Sequence, residues 1–192
     1  MNLIKHPLTL LFLFALQLTW GQKKEQLANH FLLAGQLLLV DPFEATEEKA
    51  GNTQVIVHQD GEIFVVFNSL ETGKYEFYLP LGHVYSISYG GQQFVNKKVI
   101  VDSSKSPKEK KPRRMNLDIG LFLPIEGASF PTLEQPFVKI AYDQEYDDFV
   151  PDFDYTENML KQLDKDLKLA KKSRNKSSKP TPPSTKSTTK DL

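Results

Sequence analysis

Apolar and polar positions alternate at period two through much of the first 125 residues, and turn residues cut the runs at short intervals. In Gly73-Lys74-Tyr75-Glu76-Phe77-Tyr78-Leu79-Pro80-Leu81-Gly82, Tyr75, Phe77 and Leu79 share one face of a strand. Pro80-Leu81-Gly82 then turns the chain into His83 to Tyr89, where Tyr85, Ile87 and Tyr89 are expected inward and Ser86 and Ser88 outward. His30 to Val40 predicts a first strand ended by Asp41-Pro42. Gln54 to His58 and Glu62 to Phe67 flank Gln59-Asp60-Gly61, the turn chemistry of an antiparallel hairpin. Because Ile63, Val65 and Phe67 alternate with Phe64 and Val66, the second of these strands is apolar on both faces and is expected to be central or covered. Gln93 to Asp102 breaks strict alternation, which a bulge near Asn96 would explain. Met115 to Leu123 alternates cleanly, with Met115, Leu117, Ile119, Leu121 and Leu123 on one face. These seven strands predict a mainly β fold, a seven-stranded antiparallel Greek-key β-sandwich of immunoglobulin-like type rather than a barrel.

From Pro131 the pattern changes. Pro136 to Tyr142 predicts one more short strand, and the acidic run Asp143 to Tyr155 reads as a strap pinned to the sandwich by Tyr142, Tyr146, Phe149, Phe153 and Tyr155. Asp154 and Glu157 have the spacing of a capping box, and Met159, Leu160, Leu163, Leu167 and Ala170 form one stripe, so a helix of about four turns is expected. Beyond Lys172 Ser, Thr, Pro and Lys dominate, with no large apolar residue before Leu192, a composition that cannot bury enough surface to fold.

Lys5, the apolar run Leu8 to Leu18 and Gly21 have the arrangement of a cleaved secretory signal peptide, with mature protein starting at Gln22. As a helix that run would reach only about 16 Å, half of a ~30 Å hydrocarbon core. The expected organisation is a signal peptide at 1–21, a linker at 22–29, a β-sandwich at 30–125, an extension with a short strand and amphipathic helix at 126–171, and a disordered basic tail at 172–192.

Composition narrows the chemistry. The chain has no cysteine, which removes disulfides, thiolate metal sites and lipidated cysteine anchors. Its net charge of zero conceals an acidic body, with thirteen Lys/Arg against twenty-one Asp/Glu over residues 22–160, and a basic end, with ten Lys/Arg against three Asp from Lys161 onward. Those lysines lack interleaved aromatics, so a nucleic-acid interface is not expected. No His-Glu-x-x-His, Gly-x-Ser-x-Gly, P-loop or Gly-x-Gly-x-x-Gly motif is present, and no nucleophile–base pair stands out, so no enzyme and no cofactor are expected. His30, His58 and His83 fall at strand ends or turns without metal-ligand spacing. Asp143, Glu145, Asp147, Asp148, Asp152 and Asp154 carry calcium-type oxygens but lack the glycine bend and closing glutamate of a twelve-residue calcium loop. Lys105, Lys108, Lys110, Lys111, Arg113 and Arg114 make one loop strongly basic, and Lys108, Lys110, Lys111, Arg113 and Arg114 are the candidate interaction surface, toward an anionic glycan, a lipid headgroup or the acidic strap.

The stretch Gly73-x-Tyr75-x-Phe77-x-Leu79-Pro80-x-Gly82-x-x-Tyr85-x-Ile87 resembles the carboxypeptidase-regulatory-like, or prealbumin-like, β-sandwich domains of exported Bacteroidota proteins, over roughly His30 to Leu123. Gln135 to Tyr142 with the acidic stretch and helix looks like the extension found in a family of uncharacterised secreted proteins. Such sandwiches accompany peptidases without cleaving peptides. The resemblance implies a secreted, non-catalytic interaction or scaffolding module of the cell envelope, in the periplasm or on the surface of a Gram-negative bacterium. Its expected partner is an envelope protein or anionic envelope glycan, with peripheral membrane contact possible. The alternatives are a carbohydrate-binding module and a calcium-dependent adhesion module.

Overall fold

The computed structural model describes residues 29–44, 46–107 and 113–177. The expected signal peptide, the linker through residue 28, the loop residues Lys108, Lys110 and Lys111, and the tail beyond residue 177 lie outside the described residues. Among the described residues the eleven strands are β1 (His30–Val40), β2 (Glu47–Lys49), β3 (Gln54–Gln59), β4 (Glu62–Asn68), β5 (Lys74–Pro80), β6 (Val84–Tyr89), β7 (Lys97–Asp102), β8 (Arg113–Asn116), β9 (Ile119–Leu121), β10 (Val138–Asp143) and β11 (Asp148–Pro151). A 3₁₀ turn, Pro131–Glu134, precedes β10, and one helix, α1 (Phe153–Ser177), follows β11.

The strands form two mixed sheets, not the expected seven antiparallel strands. In the five-stranded sheet, β1 pairs antiparallel with β5 from His30 to Gln36 and with β2 at Leu38 to Val40. Its opposite edge carries β8 and β9, both parallel to it. The six-stranded sheet runs β11-β10-β7-β6-β3-β4, and its one parallel pair is β10 with β7. The chain crosses between sheets at Pro80-Leu81-Gly82, because β5 belongs to the first and β6 to the second.

One core lies between the sheets. Phe31, Leu33 and Leu37 of β1 and Tyr75 and Leu79 of β5 pack with Val55, Val57, Tyr85, Ile87, Tyr89, Val99 and Val101, as the period-two pattern requires. Ser86 and Ser88 face away, as expected. A smaller cluster of Phe122, Leu133 and Leu163, joined by Phe137 and Leu167, docks α1 and the 3₁₀ turn against the end of the sheets. The Asp166 carboxylate accepts the Thr132 amide at 3.2 Å, tying helix to turn. No helix among the described residues is long and apolar enough to cross a membrane.

Several sequence expectations are corrected. β4 is an edge strand, since its ladder runs to β3 on one side while the other side ends the sheet. The run Gln93 to Asp102 is a strand only from Lys97, and Phe94 and Val95 sit in the preceding loop, with the Val95 amide bonded to the Phe122 carbonyl, so a loop rather than a bulge breaks the alternation. Met115 to Leu123 is two short strands, because the Leu117 amide bonds the Ala34 carbonyl and Asp118 accepts the Gln36 amide between them. Phe122 is buried and Leu123 exposed, the reverse of strict alternation.

The acidic strap is a β-hairpin. Phe149 reaches the core with its ring 4.2 Å from that of Phe31, and Tyr142 packs edge-on against Phe149. Tyr155 bonds the Pro136 carbonyl at 2.5 Å, whereas Tyr146 and Phe153 are exposed and pin nothing. The helix cap is Asp152 rather than Asp154, its carboxylate accepting the Tyr155 amide at 2.9 Å. α1 spans 25 residues, longer than the four turns read from the stripe, and its last turns lay Lys171 and Arg174 against the Phe43 ring.

Candidate functional site

The two described members of the candidate interaction surface, Arg113 and Arg114, sit side by side on β8 and face opposite ways, because successive strand residues alternate. Arg113 is largely buried. It donates to both the backbone carbonyl and the carboxylate of Asp147, the latter at 2.9 Å, and packs over the Tyr142 ring. The Tyr142 hydroxyl donates to the same carboxylate at 2.6 Å. That hydrogen bond first, and the guanidinium second, hold Asp147 below the usual carboxylate range. Arg113 is therefore a strut between β8 and the β10–β11 hairpin, not a free ligand contact.

Arg114 faces the outer side of the five-stranded sheet. Its guanidinium lies 3.9 Å from Glu76 and donates to the Asn116 side chain at 3.3 Å. With Lys74, Glu76, Asn116 and Asp118 it lines an open cleft of about 600 Å³. Two cations and two carboxylates leave that cleft without a net charge preference.

The strongest surface feature was read as buried from the sequence. On β4, Ile63, Phe64 and Val66 are 68, 44 and 47% exposed, while Val65 and Phe67 pack on the core. The ladder to β3 steps from Val57 opposite Val65 to His58 opposite Ile63, leaving Phe64 as an extra residue. Its ring rests 6.1 Å from that of Tyr85. Edge strands are commonly blunted by lysine or proline, and from Ile63 to Asn68 this one carries neither. The apolar double face that suggested a covered strand is an exposed edge.

At the end of the β3–β4 hairpin, Asp60 and His83 form a pair that sequence spacing did not reveal. Asp60 adopts φ +50° and Gly61 φ +95°, the positive angles of a two-residue hairpin turn. Asp60 accepts the Val84 amide at 3.0 Å and His83 Nδ1 at 2.6 Å, and these bonds, the amide's first, lower its pKa. The Ser103 hydroxyl joins this network through the His83 backbone, accepting its amide at 3.2 Å and donating to its carbonyl at 2.8 Å. The arrangement clamps two turns together and offers no free nucleophile.

Four of the six carboxylates that suggested calcium, Asp143, Asp147, Asp148 and Asp152, are engaged locally. Asp143 accepts the Glu145 and Tyr146 amides, Asp147 holds Arg113, and Asp152 caps α1. Among the described residues no group of three or more His, Asp or Glu side chains could hold a metal ion. Among the described residues Lys97 is the one lysine placed in the interior: 7% exposed, with its ammonium 4.5 Å from the Phe137 ring and 5.8 Å from that of Phe122. Desolvation lowers its pKa to about 8. Its position between polar Asn96 and Lys98 gave no sequence signal of burial.

The sequence matches no protein-family model and no curated protein. Among solved structures, a crystal structure of S.CueP is similar at 12% identity and a TM-score of 0.32. The likeness covers 48% of this chain and 62% of that one.

Proposed function

We propose that this chain is an exported, non-catalytic interaction module of the cell envelope whose two facing sheets form a β-sandwich and whose β4 edge takes up an extended segment of a partner protein. The single observation behind this reading is the unpaired β4 edge with exposed Ile63, Phe64 and Val66. Strand addition supplies main-chain hydrogen bonds to such an edge, and alternate side chains of the incoming segment meet its apolar faces. Asp60 and Glu62 at one end of the strand favour a segment that carries a lysine or arginine beside its apolar residues.

Two alternatives draw less support. An anionic glycan would find Lys74 and Arg114 opposed by Glu76 and Asp118 in the outer cleft. Calcium-dependent adhesion would need the carboxylates that already serve turns, a cap and an ion pair.

The test is site-directed photo-crosslinking in the native host from position 63, with Leu169 on α1 as a control position. A discrete protein adduct from β4 that is lost in Val66→Lys supports the reading. Equal labelling from β4 and Leu169, or an adduct unaffected by Val66→Lys, overturns it.

A further inference from the structure

α1 carries Lys161, Lys165, Lys168 and Lys172, a spacing that brings residues of successive turns into one line. Met159, Leu163 and Ala170 are buried, on the face turned toward the protein body, where α1 packs against the 3₁₀ turn and β10. At about 100° per residue the four lysines fall within an arc of about 60° on the opposite side of the helix. All four are exposed. The row is about 16 Å long, with a cation about every 5–6 Å.

Lys161 and Lys168 pair with Glu157 and Asp164 one turn back, at 2.6 and 2.5 Å. Exposed pairs of this kind are weak, so both ammonium groups can exchange partner for a multivalent anion. Among the described residues Lys165 and Lys172 have no carboxylate partner. From Lys165 to Arg174 five cations stand against Asp166 alone, and that carboxylate accepts the Thr132 amide. The helix dipole favours cations near a C-terminus whichever face they occupy. Their alignment on the solvent pole adds a line of positive potential, which suits an anion that is itself linear.

The surroundings of the row narrow the class of polyanion. An interfacial helix binds lipid through its apolar face, and here that face is packed on the body. Single-stranded nucleic acid stacks its bases on aromatic rings set among the cations, and no aromatic residue lies within Lys161 to Arg174. A polyuronate needs neither. It carries one carboxylate on each sugar, and lysine meets each as a point charge.

We propose that α1 binds a linear polyuronate along Lys161, Lys165, Lys168 and Lys172, with carboxylates of the sugar chain meeting successive lysines. Three strands separate β10 from β4 in the six-stranded sheet, so this surface does not depend on strand addition at the β4 edge. A saccharide held on the row gives no protein adduct at Leu169, which keeps the two tests separate.

Calorimetric titration of the full chain with a galacturonate oligomer tests the surface, with a neutral glucose oligomer of equal length and phosphatidylglycerol vesicles as the other arms. The galacturonate oligomer should bind saturably and more weakly as salt rises, and the glucose oligomer should not bind. The double variant Lys165→Gln, Lys172→Gln should bind the oligomer about tenfold more weakly. Glutamine keeps the helix propensity of these exposed positions, and circular dichroism checks that the helix persists. The double variant Lys49→Gln, Lys74→Gln removes the same charge from exposed positions off the helix and should bind like the parent. No binding of the galacturonate oligomer, binding indifferent to salt, or an equal loss in both double variants overturns the proposal. Tighter binding to the vesicles than to the oligomer overturns it in favour of a lipid surface.

Discussion

Arg113 on β8 and Asp147 in the β10–β11 turn are joined through both the carboxylate and the backbone carbonyl of Asp147, across 34 residues of chain. This contact fastens a hairpin whose parallel pairing with β7 spans four residue pairs. Lysine in place of arginine keeps the charge but loses the fork that reaches two oxygens and the planar contact with Tyr142. Arg113→Lys should speed amide exchange in Val138–Asp143 and Asp148–Pro151 while leaving β3 and β6 protected. The same pair should respond to acid. Asp147 has a folded-state pKa below its unfolded value, so its contribution is present above the ordinary carboxylate pKa and is lost as pH falls through the lowered one. Exchange that rises equally in every strand would show that the contact does not act locally.

The elements with clean alternation were legible because burial on one face is what alternation encodes. β1, the β3–β4 hairpin, β5 and β6 appear within a residue or two of their expected bounds. β11 was hidden, since Asp148-Phe149-Val150-Pro151 carries too few apolar residues to signal a strand and owes its place to Phe149 against Phe31. β8 and β9 read as one strand because Leu117 and Asp118 keep the polarity pattern even where their backbone leaves the ladder. The edge position of β4 was illegible for a different reason. Apolar residues on both faces fit a covered strand and a docking edge equally, and only sheet order separates the two. The Asp60–His83 pair depends on two turns meeting in space, which no local spacing reports.

Gly73 should tolerate no side chain. It sits at φ +76°, and a Cβ there would lie 2.4 Å from the Leu37 carbonyl oxygen, a backbone atom that cannot swing aside. Gly61 also has positive φ, at +95°, but a Cβ there meets nothing within 4 Å. Gly73→Ala is expected to cost more than about 2 kcal/mol and Gly61→Ala about 1 kcal/mol, the latter from backbone conformation alone. Urea midpoints of both variants check the ranking, which an equal loss would contradict.

Phe31 is fully buried and faces the ring of Phe149, so it joins the first strand to the last hairpin. Phe31→Ala should cost about 3–5 kcal/mol through the cavity it leaves. Leu160→Ala, at an exposed helix position, should stay within about 0.5 kcal/mol. Thermal unfolding of the two variants distinguishes them, and similar midpoints would mean that the core is not where the sheets face.

The buried lysine gives the protein an alkaline stability optimum. Lys97 has a folded-state pKa of about 8 against an ordinary value of 10.5, because burial penalises its charged form. Below pH 8 both folded and unfolded chains hold the proton, and the folded state bears the whole desolvation penalty. Between about 8 and 10.5 the unfolded chain binds more protons, so stability rises with pH, by on the order of 3 kcal/mol if the full shift is realised. Tyr75, Tyr85 and Tyr89 oppose this at higher pH. Burial raises all three phenols above their usual range, so above pH 10 the unfolded chain loses protons that the folded chain retains, and stability falls. Denaturant midpoints should therefore climb from pH 8 and turn over near pH 10. In Lys97→Met, which keeps the length of the side chain without its charge, the climb should vanish and the protein should be more stable than the parent at pH 7. Parallel profiles for the two proteins would show that the Lys97 ammonium is solvated in the folded state.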